Sequence, residues 1–368
     1  MPGGPASLSR RHLLAALPAA AVLGGSQARA GQEEILSRPD LPQTGEILLP
    51  VGNQHLRSPL LFSGQRLNLR GAGANASLLI FEPSRPATAV TLQTAGPGGQ
   101  VQSRVEGLGF VSNNMIDKTA IRLVNVASVN LERIGIAGGA WRGDGSIGIR
   151  TEGREMVRIR DCEIACARPV VIGPNATFSS LGADFFSIAN CSLISTAGRG
   201  AVVEVEDGTV FSNLSIRDTA LVGGSDGFRY DDQASRAASI QLEFQNVRTE
   251  QGTSADGWSF DIRTLRQSVQ DILFQNVRCD NARNGIRIRG GHRITLINTT
   301  IDQRGGKVAL DIEFTPATVL TIIGSFGQVG GTTRLINARK VTGVDSQAGG
   351  PFGPFEIWVY DPAAASRR

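Results

Sequence analysis

Phe244-Gln245-Asn246-Val247 returns further along the chain as Phe274-Gln275-Asn276-Val277. An internal repeat has to be tested first, because missing it misassigns the whole fold. Working outward, the same unit can be read as Leu131-Glu132-Arg133-Ile134, Ile159-Arg160-Asp161-Cys162, Ile188-Ala189-Asn190-Cys191, Phe211-Ser212-Asn213-Leu214 and Leu296-Ile297-Asn298-Thr299. With Gly107 and Gly324 as the outermost equivalents, 217 residues hold eight intervals of about 27 residues each. Asn occupies one point of five consecutive units, at Asn190, Asn213, Asn246, Asn276 and Asn298.

A second apolar unit follows each first one after a turn rich in Gly, Asp and Asn. Its members are residues 121–124, 147–150, 170–173, 203–206, 228–231, 260–263, 286–289 and 310–313. Apolar residues alternate with polar ones, so each unit reads as a strand with one face in and one face out. Helical spacing is absent. Strands coiled at about 27 residues per turn stack like units about 4.8 Å apart, setting each Asn above the last in a side-chain amide ladder that would satisfy buried amides. The expectation is an all-β, single-domain parallel β-helix of about 11 or 12 turns. Its parts are an export segment at 1–30, an N-terminal cap at 31–62, the coil at 63–345 and a C-terminal cap at 346–368.

Composition agrees with one folded coil. The 368 residues include 45 Gly and are 41% hydrophobic and 19% charged, which excludes a disordered tail. A pI near 9.2 suggests a nucleic-acid binder. However, Arg10, Arg11 and Arg29 lie in the first 30 residues with no Asp or Glu, so three of the net +4 charges belong there. Ser9-Arg10-Arg11-His12-Leu13-Leu14, an apolar run from Ala15 to Gly25, and Ala28-Arg29-Ala30 resemble a twin-arginine export signal. The resemblance implies a periplasmic or secreted protein with no membrane anchor after the signal is removed, and no nucleic-acid partner. Cys162, Cys166, Cys191 and Cys279 lack zinc or redox spacing and read as small buried hydrophobes, with a Cys162 to Cys191 disulfide left open. Gly71-Ala72-Gly73 reads as a turn, since neither a helix nor a suitably placed acid follows it.

The outward positions of the second strand form two columns. The first runs Thr91, Arg122, Gly148, Val171, Glu204, Arg229, Asp261, Arg287, Asp311, and its signs alternate from Glu204 onward. Strands about 4.8 Å apart favour that alternation, so a solvated salt-bridge ladder accounts for it. The second runs Gln93, Val124, Arg150, Gly173, Glu206, Asp231, Arg263, Arg289, Glu313. It sets Glu206 beside Asp231 and Arg263 beside Arg289. Neighbouring carboxylates share a proton or bind a cation, and neighbouring guanidinium groups attract an anion. This local conflict marks the candidate site.

Longer insertions at 217–226, 231–239, 249–256 and 264–270 would wall a groove beside it. Trp258 reads either as a stacking platform for a pyranose or as a rim residue. His292 reads either as an acid or base at the groove edge or as a surface turn histidine.

The repeat resembles the right-handed parallel β-helix of the pectin-lyase-like superfamily over most of residues 45 to 345. Ile47-Leu48-Leu49-Pro50 through Leu67-Asn68-Leu69-Arg70-Gly71-Ala72-Gly73 is similar to the opening turn of pectate-lyase-like proteins. Residues 31–44 are too short for the amphipathic capping helix that many members carry. The superfamily includes lyases, hydrolases, epimerases and non-catalytic fibres, and its coils act as monomers or trimers.

The resemblance implies an acidic polysaccharide as partner and β-elimination as the leading chemistry. Asp231, Asp261, Arg263 and Arg289 would be catalytic, with Arg229, Arg287, Trp258, His292 and Asp311 contacting the chain. Glu206 and Asp231 would be the ligands for Ca²⁺. Arginine stays protonated, so it neutralises charge in this scheme. For hydrolysis, Glu206 and Asp231 on adjacent rungs would stand near the ~5 Å retaining separation, and Asp261 and Asp311 near the ~9.6 Å inverting limit. Asp231-Asp232 and Gly290-Gly291-His292-Arg293 only partly echo the polygalacturonase signatures.

Overall fold

The computed structural model describes residues 45–63, 66–93, 102–137, 141, 143–152, 155–175, 184–198, 200–233, 239–250, 256–264, 269–280, 284–301, 308–324, 326–327, 332–336, 341–344 and 359–360. The chain divides between Ile35 and Leu36, and every described residue belongs to the second part. The expected export segment, residues 31–44 of the expected N-terminal cap and all but 359–360 of the expected C-terminal cap lie outside the described residues. So do 234–238, 251–255 and 265–268, the middles of three expected groove walls.

The described elements are all strands, and every pairing between them is parallel. They form a twelve-stranded sheet and a twenty-one-stranded sheet. Each turn gives one strand to the first sheet and, over most of the coil, two to the second. One turn runs through Asp226–Asp232, Gln241–Gln245 and Arg248–Glu250 before returning as Trp258–Thr264 one rung on. Parallel strands need such crossovers, and right-twisted strands take them right-handed. The chain is therefore the expected right-handed parallel β-helix. No helix among the described residues is long and apolar enough to cross a membrane.

Inward residues of successive rungs make the core. Phe228, Phe260, Ile286 and Leu310 are register partners in the twelve-stranded sheet. Phe244 and Phe274 meet them from the longer sheet. The Phe244 ring lies 4.9 Å from Phe228, 4.6 Å from Phe260 and 4.9 Å from Phe274, centroid to centroid. All four phenylalanines are fully buried, each contributing about 1.5–3 kcal/mol of apolar burial.

The corner between the two strands of the longer sheet fixes the repeat. Arg133, Asp161, Asn190, Asp218, Asn246, Asn276 and Asn298 all have φ between 47° and 54°, and Gly107 and Gly324 at the two ends have φ of 64° and 55°. This left-handed conformation suits Gly, Asn and Asp, so the two outer glycines are equivalent, as the repeat required. Two expectations need correction. The ladder member in the fourth of these corners is Asp218. Asn213 opens a strand instead, in register with Phe185. The ladder is also exposed, so its role is to turn the chain. Asn246 Nδ2 donates to Asp218 Oδ1 at 2.8 Å, and Asn276 Nδ2 to Asn246 Oδ1 at 3.0 Å.

A register slip also separates expectation from structure in the twelve-stranded sheet. Ile149, and not Ile147, is the partner of Ile121 and Val170. Arg150 therefore moves from the second column to the first, where it replaces Gly148, and Glu152 takes its place in the second. The remaining order of the first column from Val171 to Asp311 stands as read.

Candidate functional site

Charged side chains on the outer face of the twelve-stranded sheet are held at fixed spacing because their strands are locked in register. The first column is the more buried. Asp261 keeps 3% of its side-chain surface exposed and receives both Nε and Nη2 of Arg287, at 2.7 and 2.5 Å. Glu204 binds Arg229 at 2.5 Å and Arg168 at 2.8 Å. Burial works against the charged form of Glu204, but these two arginines outweigh it and hold the carboxyl below its ordinary range. Asp311 receives Arg289 Nη2 at 2.8 Å.

The second column is more accessible. Asp231 and Arg263 lie on paired positions of adjacent rungs and meet at 2.6 Å, with side chains 34% and 35% exposed. Gln233 Nε2 donates to Asp231 Oδ1 at 2.6 Å. Arg263 Nε lies 3.2 Å from Asp261 Oδ2, an ion contact without hydrogen-bond alignment. Arg289 is the register partner of Arg263, as expected, but it is committed to Asp311 and Glu313. The conflict between the two arginines is thus relieved by carboxylates on flanking positions.

Glu206 and Asp231 do not form the bare carboxylate pair that a cation would need. Arg150 grips Glu206 with Nη1 at 2.9 Å and Nη2 at 2.7 Å, and Arg168 adds a contact at 3.3 Å. Asp231 is occupied by Arg263 and Gln233. Among the described residues no three His, Cys, Asp or Glu side chains converge on a metal-sized site. The donor set therefore does not fit Ca²⁺, which favours several uncommitted oxygens.

Trp258 is buried, 6% exposed, with the Arg287 guanidinium 4.7 Å above its ring centroid. That cation takes the place expected for a sugar, so the stacking role is not supported by this geometry. His292 belongs to a strand of the longer sheet, around the Gly290 turn from Arg289, and is half-buried there.

Three features escaped the sequence reading. Arg168, at the start of its strand, joins the Glu204–Glu206 network. Asp226, at the head of the strand carrying Arg229, is buried and accepts the Trp258 N–H at 2.8 Å. Burial pushes its carboxyl above the usual range. Lys118 is buried over Trp141 and donates to Ser112 Oγ at 2.8 Å and the Asn114 carbonyl at 2.5 Å. Burial lowers its pKa. No periodicity distinguishes these residues in sequence.

No protein-family profile matches the chain, and no curated protein matches it in sequence. Solved structures do resemble it. A variant of DFA-IIIase from Arthrobacter chlorophenolicus A6, bound to DFA-III, is 13% identical, with a TM-score of 0.50 over 84% of this chain and 79% of that one. The A-module of the Azotobacter vinelandii mannuronan C-5 epimerase AlgE4 is 13% identical, with a TM-score of 0.49 over 82% of this chain and 86% of that one. At such identity the likeness concerns the fold.

Proposed function

We propose that the protein is an exported, polysaccharide-active β-helix that cleaves a uronic-acid-containing chain by β-elimination at the Arg263–Asp231 pair. The observation that supports this is an accessible arginine held 2.6 Å from an accessible carboxylate on the neighbouring rung. A uronate carboxylate meeting Arg263 loses its charge penalty, which acidifies the adjacent C5 proton. Arg263, drawn to the sugar, releases Asp231 to take that proton. The C5–H electrons then form the C4–C5 double bond as the C4–O bond breaks, and the glycosidic oxygen leaves with a proton from water. Arg289, fixed on Asp311 and Glu313, supplies a second positive charge one rung on. Arg229, Arg287, Asp261 and Asp311 hold the face in shape beneath.

Activity through these residues needs no Ca²⁺. The alternatives are a hydrolase or epimerase at the same face, or a non-catalytic glycan-binding coil acting as monomer or trimer. The mutual neutralisation of the charged columns favours the last of these. Incubation with uronic-acid polymers, with and without chelator, tests the proposal. The expected result is ultraviolet-absorbing unsaturated product, unchanged by chelator and abolished in Asp231→Asn. New reducing ends without that absorbance would show a hydrolase, altered sugar configuration without cleavage an epimerase, and retained binding alone a lectin-like coil. Loss of activity on chelation would restore a metal at Glu206 and Asp231.

A further inference from the structure

Cys162 and Cys191 sit at the same point of successive repeats, each directly after a left-handed corner residue, Asp161 and Asn190. The register fixes their neighbourhood on both sides. Arg160 pairs with Ala189 just before them, and Glu163 pairs with Ser192 just after. The Cys162 carbonyl accepts the Ser192 N–H at 2.9 Å. Both side chains are in the interior, 3% and 5% exposed, yet each is one residue from the exposed corner. The two thiols point alike. Cys162 Sγ donates to the carbonyl of Arg160 at 3.1 Å, and Cys191 Sγ to that of Ala189 at 3.2 Å. Thr219 repeats the contact one rung later, donating to the Arg217 carbonyl at 2.6 Å. Rung stacking puts the two cysteine Cα atoms about 4.8 Å apart. Disulfides span Cα separations of about 4.4–6.8 Å.

We infer that Cys162 and Cys191 are an oxidation site, joined by a disulfide that staples two neighbouring rungs when a disulfide-bearing exchange partner such as glutathione disulfide is present. One of the two sulfurs, as its thiolate, attacks one sulfur of the partner disulfide and releases a thiolate. The other, deprotonated, then attacks the mixed disulfide and expels the second thiol. Two protein thiols are oxidised and one disulfide is reduced to two thiols, so atoms and electrons balance. Cys166 and Cys279 are internal controls. Their register partners are Ser195 for Cys166, and Thr249 and Ile301 for Cys279, and burial pushes each thiol up to about 12.

The full chain, oxidised with glutathione disulfide both folded and during refolding, is alkylated in denaturant, cut with trypsin and Glu-C, and read by mass spectrometry. Cleavage after Glu163 and Asp184 separates Cys162, Cys166 and Cys191 onto different peptides. The expected result is a Cys162–Cys191 linked pair, with Cys166 and Cys279 alkylated. The oxidised protein should also melt higher than the reduced one, a difference absent in Cys162→Ser/Cys191→Ser. Alkylation at all four cysteines in both preparations, or a link through Cys166, would overturn the inference. Either result leaves the polysaccharide reading standing, because these cysteines lie at a corner of the longer sheet.

Discussion

Two carboxylates a few residues apart in space respond to burial in opposite ways. Asp226 is desolvated, and its backbone partner and the distant Arg229, 3.7 Å away, do not make up for it, so its folded pKa is raised. A raised carboxyl favours the fold fully below its unfolded pKa, and that contribution is lost as pH rises through the folded value. Ionised Asp226 therefore weakens the protein near neutrality. Asp226→Asn keeps an acceptor for the Trp258 N–H, so its melting temperature should exceed wild type at neutral pH and converge with it in acid. Glu204 has the opposite sign. Its lowered pKa stabilises above the ordinary carboxylate range and is lost as pH falls through the folded value. Glu204→Gln should cost about 2 kcal/mol near neutrality, below the value for a fully buried pair because Arg229 and Arg168 are partly exposed, and the difference should shrink in acid. Thermal melts of both variants across pH check the two slopes; parallel slopes would contradict this account.

At the scale of the element, the corner residue sets the period. Asn276 has φ of 52° and links Asn246 to Asn298. Asn276→Ala should cost about 1 kcal/mol, because a left-handed residue with a Cβ and no local hydrogen bond is strained, whereas Asn276→Gly should be close to neutral. Denaturant titration of the two variants distinguishes this from a simple loss of amide bonding, which would penalise both equally. The corner also explains which parts of the fold were legible. Alternating apolar residues and two glycines bounding the repeat were enough to read a coil, because both reflect backbone geometry that every turn must satisfy. Asn213 misled because it carries the ladder's residue type at a strand start, while Asp218 turns the chain equally well. Arg150 was misplaced because Ile147 and Ile149 are both apolar and in the same phase, so alternation alone cannot choose between registers two residues apart. That slip hid Glu152 and Arg150 as the partners that neutralise this end of the charged face.

Across the described coil, one ordered charged face has a first column buried in ion pairs and a second column open to solvent at the Arg263–Asp231 ion pair. The adjacency of Arg263 and Arg289 was legible in sequence because each ends the same alternating unit in consecutive repeats, Phe260-Asp261-Ile262-Arg263 and Ile286-Arg287-Ile288-Arg289. The commitment of Arg289 to Asp311 was not legible, because it is a diagonal contact between rungs, whereas Glu313 follows Arg289 in the second column as read. The open pair is the central claim, and calorimetric titration with uronate oligosaccharides at fixed ionic strength tests it most directly. Wild type, Arg263→Ala and Arg278→Ala would be compared. Arg278 is a matched control, an exposed arginine paired with Asp280 on the longer sheet. With melting curves confirming that each variant is folded, Arg263→Ala should bind at least about tenfold more weakly, a loss of about 1.4 kcal/mol, and Arg278→Ala should match wild type. Equal affinity in all three proteins would contradict the account.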